Sequence, residues 1–117
     1  MTMLLGEVTR ADLGAAAALF RSLGDPARLA ILRHLAAGEA RVVDLTGHLG
    51  LAQSTVSKHL ACLRDCGLVD VRAVGRASVY RLAQPVLLQV FTAAETVLKA
   101  TGNAVALCPT YGEQAAS

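Results

Sequence analysis

Through residues 53–66, Val56, Leu60 and Leu63 recur at intervals of four and three while Ser54, Ser57, Lys58 and Arg64 take polar positions. That period predicts an amphipathic helix, and Gly67 predicts its end. An earlier stretch, residues 11–23, has the same spacing in Leu13, Ala16, Ala17, Phe20 and Leu23, with Asp12 in the first turn. Gly24-Asp25-Pro26 then punctuates the chain. Asp25 is placed to cap, and Pro26 to open, a second helix running to about residue 37 through Leu29, Ile31, Leu32 and Leu35. Residues 42–49 make a short third helix, and Gly50-Leu51-Ala52 turns the chain into the fourth. Two helices joined by a tight glycine-containing turn match the helix-turn-helix signature. Past Gly67 the composition changes. Residues 69–74 and 77–82 are rich in β-branched side chains and flank Gly75-Arg76, which reads as a hairpin with a basic tip, a wing. Residues 85–101 are helical again, with Leu87, Leu88, Val90, Phe91, Ala94, Val97 and Leu98 on a broad apolar face. The expected fold is mainly α with a β-hairpin wing, a winged helix-turn-helix over residues 1–102. Residues 103–117 are expected to form a flexible C-terminal tail carrying Cys108.

At 117 residues the chain is one domain with a single small core, and pairing with a second copy would help to bury its apolar excess. A homodimer is therefore the default expectation. The hydrophobic fraction of 54% comes largely from Ala, Leu and Val, with two Phe, two Tyr and no Trp, so the interior should be aliphatic. No run reaches the roughly 18 uncharged apolar residues of a membrane span. The opening residues lack the basic segment and apolar run of a secretory signal, which points to the cytoplasm and no membrane partner.

A net charge of +2 does not announce a nucleic-acid binder, but its distribution is more informative. Lys58, Arg64, Arg72, Arg76 and Arg81 cluster, accompanied in that stretch only by Asp65 and Asp70. On a recognition helix entering the major groove, Gln53 suits adenine, and Ser54, Thr55 and Ser57 suit bases or phosphates. Lys58, His59 and Arg64 complete that helix's candidate DNA contacts, Lys58 and His59 mainly for positioning. Arg76 at the wing tip suits the minor groove or the backbone. A dimer implies double-stranded operator DNA with two-fold symmetry.

Three cysteines, Cys62, Cys66 and Cys108, are an odd number. In a reducing compartment such thiols are free or bind metal rather than form a disulfide framework. Cys62 and Cys66 are four apart, which puts their Cβ atoms about 5 to 6 Å apart on one helix face, close enough for both sulfurs to grip one ion. Cys108 on a tail could complete a three-sulfur site, and thiolates favour cadmium, lead or arsenite over magnesium, calcium or manganese. Zinc usually takes four ligands, and no fourth stands out here; His59, one turn before Cys62, is disfavoured. His34 and His48 read as surface or packing residues, and Glu39, Arg41 and Asp44 as a solvated face.

Ser54-x-Val56-Ser57-x-His59-Leu60-x-x-Leu63-Arg64-x-x-Gly67-Leu68-Val69, with Gly75-Arg76-x-x-x-Tyr80-x-Leu82 and Gly24-Asp25-Pro26-x-Arg28-Leu29-x-Ile31-Leu32, resembles the ArsR/SmtB family of metal-sensing repressors over roughly residues 12–100. The resemblance implies a winged-helix homodimer joined through its first and last helices, and sets His59 near DNA phosphate. Two common metal sites of that family are missing. Its third-helix Cys-x-Cys-Asp-Leu box reads Arg41-Val42-Val43-Asp44-Leu45, and residues 85–101 hold a single acid, Glu95, and no His. Cys62-Leu63-Arg64-Asp65-Cys66-Gly67-Leu68-Val69, together with Cys108, is similar to the CmtR-type cadmium and lead sensors. There, cadmium(II) or lead(II), and by the same chemistry arsenite, is expected to release the repressor from DNA. A thiol redox switch using the same cysteines is the alternative. A thiol enzyme lacks an acid partner, a Cys-x-x-Cys pair or an oxyanion-type glycine loop, and none is expected.

Overall fold

The computed structural model describes residues 8–108 and contains five α-helices and three strands among them. Helix α1 spans Arg10–Leu23, α2 Pro26–Ala37, α3 Val42–Leu49, α4 Gln53–Asp65 and α5 Leu87–Ala100; strands β1, β2 and β3 span Ala40–Arg41, Val69–Val74 and Ala77–Leu82. The ends of these elements follow local chemistry. Thr9 and Asp12 cap α1 reciprocally, the Thr9 hydroxyl accepting from the Asp12 N–H and the Asp12 carboxylate from the Thr9 N–H. Asp25 accepts from the N–H groups of Ala27 and Arg28 with Pro26 in the first turn of α2, as its sequence position implies. Arg28 returns the favour to α1, donating from Nε to the Ser22 carbonyl (2.7 Å) and from Nη2 to the Arg21 carbonyl (2.9 Å).

Helix α4 closes in a Schellman turn. Gly67 adopts φ 77°, a left-handed conformation open to glycine at little cost. The Leu68 N–H reaches the Leu63 carbonyl and the Gly67 N–H that of Arg64, both at 2.9 Å. Leu63 and Leu68 are buried in the same core, so the turn is fastened from inside as well. The wing is a two-residue hairpin in which Val74 pairs with Ala77 and Gly75 supplies φ 63°, the first-position glycine of a type II′ turn.

The sheet has one more strand than the expected hairpin. Two residues, Ala40 and Arg41, pair antiparallel with Tyr80 and Val79, giving the order β1-β3-β2. A two-residue strand is too short to show a period, which explains its invisibility in the sequence. It ties the start of α3 to the wing.

Ile31, Leu32 and Leu35 of α2, Leu45 of α3, Val56, Leu60 and Leu63 of α4, Val69 of β2 and Leu87 and Phe91 of α5 form the core. The stripe read from α4 is fully enclosed. On α1 the stripe behaves differently: only Ser22 and Leu23 are buried, while Leu13 and Phe20 remain 58% and 63% exposed. Val97 on α5 is 61% exposed too, and between α1 and α5 lies an apolar groove of about 790 Å³ lined by Phe20, Leu23, Val90, Ala94, Val97 and Leu98 among others.

Residues 103–108 form no regular element, yet this first part of the expected loose tail is tethered. It folds back along α5, where Leu107 and Cys108 pack against the core. Residues 109–117, the rest of the expected tail, lie outside the described residues.

Candidate DNA interface and thiol sites

Gln53, Ser54, Ser57 and Lys58 are exposed on the N-terminal half of α4, with Thr55 and His59 half-buried beside them. No side chain caps this helix and no acid occupies its first turn, so its N-terminal N–H groups and positive dipole end face outward, an arrangement suited to phosphate. His59 Nε2 stands 3.9 Å from the Asp25 carboxylate. Asp25 is held below the ordinary carboxylate range, first by the Arg28 N–H it accepts and in part by His59. Arg64 is exposed in the last turn, about 16 Å along the axis from Gln53 at 1.5 Å per residue. The expected reading face thus splits into a cluster at the helix start and one cation further along.

The basic field also divides. Arg72 donates to Glu39 at 2.6 Å, and Arg81 to Asp70 at 3.4 Å. Lys58, Arg64 and Arg76 have no ion pair among the described residues, and Arg76 sits at the wing tip next to Gly75. Glu39, Arg41 and Asp44 are the exposed face expected of them, Glu39 pairing with Arg72 of the wing and Asp44 taking the Arg41 guanidinium and backbone N–H at 3.1 Å.

All three cysteines are free thiols. Cys62 is half-buried and Cys66, the C-cap of α4, is exposed. Both lie at the C-terminal, negative end of the helix dipole. Cys66 Sγ lies 2.9 Å from the Ser22 hydroxyl, whose single proton is donated to the Ala18 carbonyl at 3.0 Å, leaving its oxygen to accept from the thiol. Ser22 is the sole buried polar residue among those described. No sequence signal flags this contact, because it joins residues 44 positions apart on α1 and α4.

Cys108 occupies a separate place. Its Sγ lies 3.4 Å from the Thr92 hydroxyl and 3.6 Å from the Leu88 carbonyl, on α5. Glu95 Oε2 accepts the N–H groups of Leu107 (2.6 Å) and Cys108 (2.8 Å), and these bonds, that of Cys108 first, hold the carboxyl below its usual range. Within one chain, no group of three or more His, Cys, Asp or Glu is placed to hold a metal among the described residues. One protomer thus presents a thiol pair at the end of α4 and a single thiol beside α5. His34 and His48 pack ring to ring, centroids 4.5 Å apart, between α2 and α3.

The family model for bacterial regulatory proteins of the arsR family matches residues 25–71, from the cap of α2 into the wing. A probable mercury resistance operon repressor of Streptomyces lividans is 35% identical over 84% of this chain and 81% of its own length. The chain belongs to the ArsR family. Like other ArsR-family proteins it is a DNA-binding transcriptional regulator with a winged helix-turn-helix fold, the class expected from its motifs. The HTH-type transcriptional regulator CmtR of Mycobacterium tuberculosis is 49% identical over 59% of this chain, which spans 58% of that protein. Among solved structures, the homodimeric winged helix-turn-helix DNA-binding domain of Mb0332 from Mycobacterium bovis matches with TM-score 0.70 and 30% identity, covering 79% of this chain and 85% of that one. No described helix of this ArsR-family chain is long and apolar enough to cross a membrane.

Proposed function

We propose that this ArsR-family regulator is a cytoplasmic repressor that binds a two-fold symmetric operator as a homodimer and is released when a thiophilic ion binds Cys62, Cys66 and Cys108. The observation that carries the reading is the position of Cys62 and Cys66 at the end of α4, the helix whose other end carries Gln53, Ser54, Thr55, Ser57, Lys58 and His59. An ion gripped there acts directly on the element that reads DNA, with Arg64 between the two thiols and Arg76 on the wing as outlying contacts. Residues 1–102 read DNA and dimerise, and 103–117 supply Cys108.

The dimer reading rests on the bare apolar faces of α1 and α5 and on the homodimeric relative. With α1 and α5 against their counterparts, Cys108 of one protomer and the α4 thiols of its partner complete the set that one chain leaves divided. Three soft sulfurs fit cadmium(II) and lead(II) first and arsenite next. The mercury resistance repressor adds mercury(II) to the ions to test. Because each thiol must lose its proton, binding weakens as pH falls. The coupling between ion and operator needs about 1 to 3 kcal/mol or more for useful derepression. The redox alternative meets a geometric obstacle. Cysteines four apart on a helix hold their Cβ atoms about 5 to 6 Å apart, against about 3.5–4.5 Å in a disulfide, so oxidation within α4 would have to unwind its last turn.

Fluorescence anisotropy of the reduced protein on its own promoter fragment, with and without each ion, tests the reading. Expected is a loss of operator affinity of about fivefold or more with cadmium or lead, absent in Cys62→Ser and Cys66→Ser. Equal affinity with and without all four ions would defeat it.

A further inference from the structure

Cys108 lies on a strap, residues 101–108, with no regular secondary structure and with residues 101–106 exposed. Such a segment does not hold a thiol in one place unless its backbone is fastened. Here it is fastened by α5. The Leu107 and Cys108 N–H groups converge on one oxygen of Glu95, and both bonds are charge-assisted. One residue further back, the Ala106 carbonyl accepts from Arg33 Nε of α2 at 3.0 Å. The Cys108 sulfur is thereby seated against Thr92 and Leu88, one turn and two turns before Glu95 on the same helix. Glu95 is also the only acid in α5. With Oε2 committed to two N–H donors, the Glu95 carboxylate anchors the backbone that carries the thiol.

We propose that Glu95 is the positioning residue for Cys108, fixing where the third sulfur of the effector site is presented. The proposal rests on the reading that Cys108 is an effector ligand. Removing Glu95 leaves two N–H groups without their partner and frees the strap, so the third sulfur must be ordered at the moment the ion binds. Groups that orient a metal ligand from behind typically change affinity by about 10- to 100-fold when lost. Glu95→Gln keeps an oxygen able to accept from both N–H groups but removes the charge, so its effect falls between wild type and Glu95→Ala.

Two measurements on the full-length reduced protein test this. The first is the rate at which iodoacetamide alkylates each cysteine in the metal-free protein, read by peptide mass spectrometry. The second is a cadmium titration followed by the sulfur-to-metal charge-transfer band. Glu95→Ala should speed alkylation of Cys108 several-fold with Cys62 and Cys66 unchanged, and weaken cadmium binding about tenfold. Combined with Cys108→Ser it should weaken binding no further than Cys108→Ser alone, because its effect passes through that sulfur. Unchanged alkylation and unchanged cadmium affinity in both Glu95 variants would overturn the positioning role. A Cys108→Ser protein that binds cadmium as the wild type does would overturn the ligand reading and this proposal with it. That second failure is recognised by Cys108 alkylation still responding to Glu95→Ala. If Glu95→Ala does not fold, as circular dichroism would reveal, Glu95→Gln carries the test alone.

Discussion

Helices α1 and α4 carry apolar stripes of the same spacing and meet opposite fates. In α4, Val56, Leu60 and Leu63 are fully buried in the protomer's own core. In α1, Leu13 and Phe20 are more than half exposed, above a groove shared with α5. The period of a stripe reports that a face will leave water, because burying apolar area is favourable wherever it happens. It does not report whose atoms will cover it. The half around α4 is closed within one chain, whereas the half around α1 and the Val97 side of α5 keeps an apolar face open. The Ser22 to Cys66 contact joins the two halves, so one of the proposed effector thiols, Cys66, stands where they meet.

The largest effect should come from breaking the closed half. Leu60→Ala removes a side chain with no exposure and should cost about 2–5 kcal/mol in the folding of each protomer, measured by chemical denaturation followed by circular dichroism. If Leu13→Ala costs as much, the two halves do not differ as described. Next, Phe20→Ala should leave the protomer folded and weaken dimerisation by about a hundredfold or more, because a symmetric dimer loses two Phe side chains at roughly 1.5–3 kcal/mol each. Sedimentation velocity over a dilution series would detect it. A variant that keeps the wild-type dissociation constant would put Phe20 outside the interface.

The smallest effect separates the halves by pH. Burial first, and then the neighbouring His48, hold the His34 imidazole below its ordinary value of 6.5. The unfolded chain therefore takes up a proton near pH 6.5 that the folded chain refuses until lower pH. Stability is complete above that value and declines as pH falls toward the depressed folded value. Urea midpoints measured across the histidine range should show this decline, and His34→Gln should flatten it. The dimer constant measured over the same range should not follow His34. A decline that survives His34→Gln would assign it to other groups.

Much of the site was legible because it is local. The α4 stripe, the glycine closing that helix, the Asp25 cap with Pro26 and the Gly75-Arg76 wing turn each depend on residues a few positions apart, and each stands where the sequence predicts. The exposed polar residues of α4 follow from the same period. Illegible were the pairs joining distant segments. Arg72 and Arg81 belong by sequence to one basic field but pair with Glu39 and Asp70, and Glu95, by sequence the single acid of a helix without a metal site, holds the strap.

The order of residues was enough to place the helices, the wing, the family and the three thiols, two of them on one helical face. All of these are set by dihedral preference, side-chain period and residue chemistry within a turn or two of chain. The three-dimensional packing was needed to bring Ser22 to Cys66, to fasten Cys108 to α5 through Glu95, and to keep one protomer's thiols in two places. Such contacts depend on how helices pack in space, and each joins residues whose separation along the chain carries no periodic signal.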